Sequence, residues 1–332
     1  MSRRHLRPQR PLSRRRLLTG AISLGLAAAA HPTLAQTQPV RVGHFPNITH
    51  VQALVAHHLS RQGKGWFEER LGVPIEWYVY NAGPSAMEAI FANSLDLTYV
   101  GPNPAINAYV RSGGTEIRIL AGAVNGGAAL VVPAGSPLRT PADFRGRKIA
   151  TPQLGNTQDV AARAWLTAGG LRITQTGGDA FVLPTANPDQ LSLFKQRRVD
   201  AVWTVEPWVS RLELEANGKV LLEEPDAITT ILVAGVRFRT ANRGFARRFV
   251  TAHEELTEWI NANPAEAQRM VREELAAETR AAIPAELIAH AWKRIRLTSD
   301  IAQGDLDKFL AQAQSAGFLR GAPALLRLVD KP

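Results

Sequence analysis

The sequence predicts an α/β fold of two lobes, in which doubly wound sheets are joined by two hinge strands. Short apolar stretches alternate with amphipathic ones from Val40 onward, and this alternation is typical of βαβ units. It breaks at Asn125-Gly126-Gly127 and then resumes, so a second set of units follows the first. Roughly 300 residues follow residue 35, which suits two domains better than one.

The individual elements follow from apolar runs of strand length and amphipathic runs of helix length. In the first set, we predict strands at residues 40–44, 75–80, 97–100 and 117–123, and helices at residues 51–59, 85–92 and 106–112. After an apolar run at 128–132, we predict strands at residues 148–150, 180–183, 201–205 and 231–238, and helices at 157–168, 188–196 and 207–217. Residues 242–328 have helical periodicity, with helix starts near Pro264, Pro284 and Gly304.

The two breaks in the pattern predict two crossings between the lobes. If the chain leaves the first lobe near residue 124 and returns near residue 228, lobe 1 comprises residues 38–124 and 228–332, and lobe 2 comprises residues 125–227. Two connecting strands form a hinge, so the ligand of such a protein is expected in the cleft between the lobes.

The first 35 residues predict an export signal that is not part of the fold. Arg14, Arg15 and Arg16 precede the apolar run 17–30, and small residues lead to a cleavage site after Ala35. The run is too short for an ordinary membrane span. Consecutive arginines indicate the twin-arginine pathway, and the alternative is an ordinary secretory signal with an arginine-rich start. The expected product is a free, soluble protein of the periplasm.

Charge and cysteine content exclude several classes of function. The chain has 39 Lys and Arg against 29 Asp and Glu, a formal charge of +10. Seven arginines and no acids fall within residues 1–35, so the remainder has 32 basic and 29 acidic residues, or +3. This balance, with no basic stripe, argues against nucleic-acid binding. The absence of cysteine excludes disulfides, thiol catalysis, thiolate metal sites and a lipid-anchor cysteine.

Signatures of the common enzyme classes are also missing. The sequence contains no G-x-S-x-G, no G-x-x-x-x-G-K-[ST], no H-E-x-x-H and no G-x-G-x-x-G after a strand. It therefore predicts a binding protein with no catalytic residues and no cofactor.

Three turns between a predicted strand and a predicted helix indicate an anion site. They occupy residues 81–85, 101–103 and 155–158. Gly permits a sharp turn, Pro suits the first helical turn, and Ser, Thr or Asn can cap free amides. Helix N-termini carry partial positive charge, so several along one edge suit a small anion. The alternative is ordinary βα-turn chemistry, which any α/β fold needs.

Two further segments carry polar or aromatic side chains at the expected cleft. Asn47 and Thr49 follow the first strand and can cap the next helix or bind a ligand. Glu206 and Trp208 follow the strand at 201–205, where the carboxylate could bind an ammonium or hydroxyl group and the indole could stack on carbon. The alternatives are an acid at a helix start and a core aromatic.

Three histidines near the first helix raise the question of a metal site. His50 and His57 are seven residues apart, and no carboxylate completes a recognised ligand spacing. The sequence therefore predicts that His50, His57 and His58 lie on a helix surface and that no metal ion binds.

Five blocks of sequence together resemble one protein family. They are VGHFPNITH at 42–50, NAGPSAMEAI at 81–90, DLTYVGPNP at 96–104, GNTQ at 155–158 and EPW at 206–208. In order and spacing, they are similar to the periplasmic solute-binding proteins of ABC importers for sulfonates, nitrate and taurine. The aliphatic-sulfonate branch is the most similar, and the resemblance covers essentially the whole chain after the export signal.

This resemblance implies a type II periplasmic binding protein fold, whose cleft closes on a small organic anion for delivery to a membrane permease. The ligand contacts it implies are Asn47, Thr49, Gly83, Ser85, Gly101, Asn103, Asn125, Gly126, Gly127, Asn156, Thr157 and Glu206, to which the stacking argument adds Trp208. An aliphatic sulfonate is the expected ligand, and a monomer suits hinge motion. The alternatives are nitrate, bicarbonate, taurine, an aromatic sulfonate or a thiamine precursor, and an enzyme on the same fold.

Overall fold

Two β-sheets of five and six strands organise the chain in the computed structural model, which describes residues 38–301, 303–321 and 324–331. The predicted export segment, residues 1–35, lies outside the described residues. The strands are β1 Val40–His44, β2 Ile75–Val79, β3 Leu97–Val100, β4 Ile117–Gly126, β5 Ala128–Pro133, β6 Lys148–Thr151, β7 Ile173–Thr174, β8 Gly177–Gly178, β9 Phe181–Pro184, β10 Ala201–Val205, β11 Gly218–Glu223, β12 Ile228–Gly235 and β13 Ile295–Leu297. The α-helices are α1 Val51–Arg61, α2 Trp66–Leu71, α3 Gly83–Phe91, α4 Pro102–Arg111, α5 Thr157–Ala168, α6 Asn187–Lys195, α7 Trp208–Ala216, α8 Val236–Ala241, α9 Arg243–Ala262, α10 Pro264–Thr279, α11 Ala285–Trp292 and α12 Gln303–Ser315.

The first sheet has the strand order β13-β4-β12-β3-β1-β2. β1 pairs in parallel with β2 and β3, whereas β12 pairs antiparallel with β3 and β4. Buried apolar side chains of α1, α2, α9 and α10 pack near one part of the sheet, and those of α3, α4 and α12 pack near another. Because helices cover the sheet, β12 is buried along its whole length, and its residues 231–235 form a continuous apolar run.

The second sheet has the strand order β11-β5-β10-β6-β9. β6 pairs in parallel with β9 and β10, and β5 pairs antiparallel with β10 and β11. One apolar cluster joins this sheet to α5, and another joins it to α6 and α7. β7 and β8 form a separate two-stranded sheet. We call the parts built on the first and second sheets the first and second lobes.

The chain passes between the sheets twice. β4 ends at Gly126 in the first sheet, and β5 begins at Ala128 in the second. Gly126 and Gly127 have φ angles of 73° and 74°, in the left-handed region that glycine adopts readily. The chain returns between β11 and β12. β4 continues past the predicted boundary at residue 124, and the division into residues 38–124 plus 228–332 and 125–227 stays a prediction.

Two edge strands are absent from the sequence-based assignment. β13 lies within residues 242–328, for which the sequence predicts only helices, and it pairs with β4 at the edge of the first sheet. β11 pairs with β5 at the edge of the second. β11 and β13 are only six and three residues long, which is too short for an alternating pattern to identify them as strands. They form because the fold places each beside a strand with which it can pair.

Several helices begin earlier than the sequence pattern predicts. α3 begins at Gly83 and α4 at Pro102, ahead of the predicted starts at residues 85 and 106. Both helices carry proline in the first turn, where its missing N–H leaves no hydrogen bond unmade. Among the described residues, no helix combines the length and the hydrophobicity that crossing a bilayer requires.

Candidate functional site

A small cavity lies between the two sheets, where residues that follow β1, β3, β6 and β10 meet. Its volume is about 30 Å³, which is room for about two water molecules or a small polar group. Six of the predicted contact residues line it, and these are Asn47, Thr49, Gly83, Gly101, Asn156 and Thr157. Both lobes contribute, so the cavity has the position that the sequence predicts for a ligand.

Five α-helices begin at this cavity within the described chain. α1, α3 and α4 come from the first lobe, and α5 and α6 come from the second. Only α5 has a side-chain cap among them, because Asn156 Oδ1 accepts a hydrogen bond from the Asp159 amide (2.9 Å). α3 and α4 have neither a side-chain cap nor an acid in their first turn. Their N-terminal amides therefore leave partial positive charge at the cavity wall.

The cavity wall carries no fixed charge. Among the described residues that line it, none is Asp, Glu, Lys or Arg. His50 is fully buried, and burial lowers its pKa well below the usual range. The Phe45 amide donates to His50 Nδ1 (3.4 Å), which places the ring proton on Nε2. The electrostatic character of the cavity therefore comes from helix ends and neutral polar groups.

Two glycines stand at the cavity where a side chain would not fit. A Cβ atom at Gly101 would collide with Oγ1 of Thr157 from the other lobe. A Cβ atom at Gly83 would collide with the ring of Pro104. Glycine at position 101 therefore permits the close approach of the two lobes, and glycine at position 83 permits the close packing of α3 against α4.

Polar side chains join the lobes around the cavity. Gln153 Nε2 donates to Ser85 Oγ across a distance of 3.0 Å. Asn47 Oδ1 accepts from Asn187 Nδ2 (3.4 Å) and from Trp208 Nε1 (3.2 Å). The Asn47 side chain is committed to these contacts and does not cap a helix, contrary to one of the two roles predicted for it.

Seven predicted contact residues lie outside the cavity lining, namely Ser85, Asn103, Asn125, Gly126, Gly127, Glu206 and Trp208. The Asn103 amide faces α12 and donates to the Phe309 carbonyl (3.1 Å). The Gly126 carbonyl accepts from Thr229 Oγ1 at the crossing between the lobes. These residues shape the walls and the hinge, and their contact with a ligand stays a prediction.

The Glu206 side chain departs most clearly from its predicted position as a ligand contact in the cleft. Its carboxylate is fully buried and accepts hydrogen bonds from the Ser210 amide (3.0 Å), Ser210 Oγ (2.9 Å) and Arg294 Nη1 (3.2 Å). Burial raises its pKa to about 7, although Ser210 and Arg294 oppose the shift. Both carboxylate oxygens are engaged within the protein, so the position favours the alternative of an acid at a helix start.

The three histidines of the first helical region are buried, and the prediction that they lie on a helix surface is wrong. His50, His57 and His58 expose 2%, 8% and 6% of their surface. The reason is tertiary, because α10 packs along α1 and covers a face whose polar residues suggested exposure.

Other lining residues escaped the sequence reasoning. Asn187 and Pro188 follow β9 in the same way that Asn103 and Pro104 follow β3, so the turn pattern could have identified Asn187. Thr229 lies within β12 and no local pattern marks it. Asn81, Ala82 and Gln158 lie within the predicted turns but were not predicted as contacts, and the other unpredicted residues of the lining are Phe45, His50, Pro104, Pro152 and Val205.

A comparison with protein-family models identifies the chain. The model described as the NMT1-like family matches residues 34–275, which is more than half of the sequence. The chain belongs to the NMT1-like family.

Curated relatives of this NMT1-like protein are named as binding proteins. One from Brucella abortus (strain 2308), named as a candidate binding protein, is 25% identical over 252 residues, which are 74% of this chain and 74% of that relative. One from Escherichia coli (strain K12), named as a candidate aliphatic sulfonates-binding protein, is 27% identical over 214 residues, or 63% of this chain and 61% of that relative.

Solved structures confirm the fold of the NMT1-like chain. The alkanesulfonate-binding protein SsuA from Xanthomonas axonopodis pv. citri, bound to MOPS, superimposes with a TM-score of 0.72. It is 20% identical, and the match covers 90% of this chain and 100% of the other. The predicted fold class, a two-lobed periplasmic binding protein of the α/β type, is therefore confirmed, as is the family resemblance.

Proposed function

We propose that this NMT1-like protein is an exported solute-binding protein that captures a small organic anion between its lobes and delivers it to the membrane permease of an ABC importer. The observation that carries the proposal is the convergence of helix N-termini from both lobes on one cavity, whose described lining contains no acidic side chain. Helix N-termini supply N–H donors and partial positive charge, and an oxyanion satisfies both. The names of the curated relatives support a binding role over an enzymatic one.

A second cavity favours an organic anion over nitrate or bicarbonate. This cavity measures about 260 Å³ and shares Asn47, Asn81 and Asn187 with the first. Its other walls include Trp208 and Leu287, so it is largely apolar. An alkyl chain could lie there while the anionic group meets the helix N-termini, and each buried CH₂ group would contribute about 0.8 kcal/mol. We therefore propose an aliphatic sulfonate, the class in the name of the Escherichia coli relative.

The lining argues against taurine among the alternatives. Taurine carries an ammonium group, which requires an acidic or strongly polar acceptor when it is removed from water. Among the described residues, no Asp or Glu lines either cavity. Aromatic sulfonates and thiamine precursors stay as alternatives that a ligand panel separates.

Location and assembly belong to the same proposal. We propose a periplasmic location after removal of residues 1–35, and a monomeric state that leaves the hinge free to move. The predicted export signal and the periplasmic relatives support the location.

The test is thermal unfolding of residues 36–332 against a panel of anions. The panel contains ethanesulfonate, longer alkanesulfonates, taurine, benzenesulfonate, nitrate, bicarbonate, sulfate and a thiamine precursor. A ligand at about 100 times its Kd adds about 2.7 kcal/mol to the free energy of unfolding, which raises Tm by a few degrees. Shifts confined to alkanesulfonates would support the proposal, and no shift with any anion would contradict it.

A pair of glycine substitutions ties binding to the cavity. Gly101→Val places a side chain against Thr157 and should abolish the ligand-induced shift by holding the lobes apart. Gly135→Ala is the matched control, because a Cβ atom there meets nothing within 4 Å. Equal ligand affinity in Gly101→Val and the unsubstituted protein would contradict the assigned site.

A further inference from the structure

A buried group of histidine and glutamate side chains lies in the first lobe, outside both cavities. His44 ends β1, His57 lies on α1, and Glu274 and Glu278 lie on α10. The sequence separates the histidines from the glutamates by more than 200 residues, so no ligand spacing is visible in it. We call these four residues the His/Glu cluster.

Within the His/Glu cluster, His44, His57 and Glu278 converge on one point, and Glu274 contacts His57 beside it. His44 Nε2 donates to Glu278 Oε1 (2.5 Å), and His57 Nδ1 donates to the same oxygen (2.9 Å). His57 Nδ1 also lies 2.9 Å from Glu274 Oε1. One atom from each of His44, His57 and Glu278 falls within 4.8 Å of the others. Ligand atoms around tetrahedral zinc lie about 3.3 Å apart, so small side-chain rotations suffice to admit an ion.

The carboxylates of the cluster are not satisfied by protein partners. The Glu274 side chain is 0% exposed and the Glu278 side chain 1% exposed. Oε2 of each has no hydrogen-bond partner, and neither has Nδ1 of His44. A buried carboxylate oxygen without a partner is costly, because no solvent replaces the missing hydrogen bond. The free oxygens are an observation independent of the clustering itself.

Charge also favours a cation at this point. Two carboxylates are buried here, and Arg61 Nε contacts Glu274 Oε1 at 2.8 Å. With neutral imidazoles, the two glutamates and Arg61 together carry one excess negative charge. A divalent cation bound by neutral imidazoles and carboxylates would replace the imidazole protons that now join these groups.

We propose that His44, His57, Glu274 and Glu278 form a zinc site that ties β1, α1 and α10 together. Two imidazole nitrogens and carboxylate oxygens are a ligand set that zinc prefers, and four protein ligands make a closed site of the structural type. Trp77 packs against both imidazole rings, with ring centroids 5.5 Å from His44 and 5.4 Å from His57. Trp77 and Arg61 would thus orient the ligands from outside the cluster. None of the four residues lines the proposed anion cavity.

The experiment is a zinc titration of residues 36–332, produced without a histidine tag and freed of metal with a chelator. Competition with a chromophoric chelator should give one Zn²⁺ per chain, and zinc should raise Tm. Glu278→Gln and His57→Gln should each weaken zinc binding more than about tenfold, since even residues outside the metal ligands change affinity tenfold or more. His58→Gln is the matched control on the same helix, because His58 contacts Gln62 and Glu273 and not the cluster.

Zinc uptake by the three variants decides between the proposed site and its absence. Zinc uptake that is lost in Glu278→Gln and His57→Gln but kept in His58→Gln supports the site. No stoichiometric uptake, or uptake equal in all three variants, overturns it. If a variant fails to fold, zinc-edge X-ray absorption on the unsubstituted protein decides, since the site requires two imidazole ligands and no sulfur. Loss of anion binding would leave each of these outcomes unchanged.

Discussion

Arg294 of the first lobe forms an ion pair with Glu206 of the second, with 3.2 Å between Nη1 and Oε1. The same guanidinium contacts Glu213 (2.8 Å) and Glu223 (3.3 Å), which also belong to the second lobe. One cation from the segment before β13 thereby holds three carboxylates on the far side of the cleft. Arg294 therefore joins the first lobe to three acidic side chains of the second.

Replacing Arg294 with methionine should loosen the closed state. The change leaves Glu206 buried without its cation, and removing one partner of a buried pair costs about 3 kcal/mol, at the lower end of the usual range because Arg294 is partly exposed. We expect a lower free energy of unfolding in urea and weaker ligand binding. Arg296→Met is the control, since Arg296 and its partner Asp226 are mostly exposed. Equal losses in the two variants would contradict the role of Arg294.

Glu206 should make stability depend on pH between about 4.5 and 7. Its pKa in the folded protein is raised to about 7 by burial, so the folded state holds the proton more tightly than the unfolded state does. The contribution of Glu206 to stability is therefore greatest below pH 4.5 and decreases as pH rises through 7, by about 3 kcal/mol. Burial of His253 has the opposite effect over nearly the same pH range, so the measurement is the difference in the free energy of unfolding between the unsubstituted protein and Glu206→Gln, from urea unfolding at several pH values. This difference should decrease from pH 4.5 to 7, whereas Glu255→Gln, an exposed control, should keep the pH dependence of the unsubstituted protein.

His253 should produce the opposite dependence in the acid range. Its Nε2 donates to the Gly122 carbonyl (2.8 Å), so Nδ1 accepts from the Tyr99 hydroxyl (3.0 Å) and the ring is neutral. Burial lowers its pKa to about 4, so the stability present above pH 6.5 is lost as pH falls toward 4, by about 3 kcal/mol. Because the Glu206 dependence opposes this one, the measurement is the difference in the free energy of unfolding between the unsubstituted protein and His253→Gln, which should shrink as pH falls from 6.5 to 4. Tyr99→Phe, which keeps the imidazole, should have the pH dependence of the unsubstituted protein.

Filling the apolar cavity should change which sulfonates bind. Ala281 lines that cavity and is exposed at its edge, so Ala281→Trp should narrow it without disturbing the core. Affinity for long alkanesulfonates should fall at least about tenfold, equivalent to the burial of two CH₂ groups, while ethanesulfonate is affected less. Isothermal titration calorimetry measures both. Ala282→Trp, next in the chain and outside the lining, should leave the affinities unchanged; identical effects in the two variants would place the alkyl chain elsewhere.

Much of the fold could be predicted from local pattern. The alternation of apolar strands with amphipathic helices identified most of the elements, because each βαβ unit repeats the same periods. β11 and β13 were missed, since an edge strand of a few residues is stabilised by its neighbour and carries little pattern of its own. The predicted turns also located the starts of α3, α4 and α5 within a few residues.

The candidate site was predicted in part. Gly83, Gly101 and Asn156 line the cavity because the turn chemistry that marks a helix N-terminus also places it at the end of a strand. Glu206 follows the same rule in sequence, yet its carboxylate turns toward Ser210 and Arg294. Which way a side chain points is decided by partners that lie far away in the chain.

The sequence alone determined the alternating elements, the break at Asn125-Gly126-Gly127, the family resemblance and the helix starts, because each depends on neighbouring residues. Only the tertiary structure decided that α10 covers α1, that Glu278 meets His44 and His57, and that Arg294 joins the lobes. Those contacts join residues about 80 to more than 200 positions apart. Burial and pairing at such separations depend on how the sheets and helices pack, and the hydrophobic periodicity of a single segment does not predict that packing.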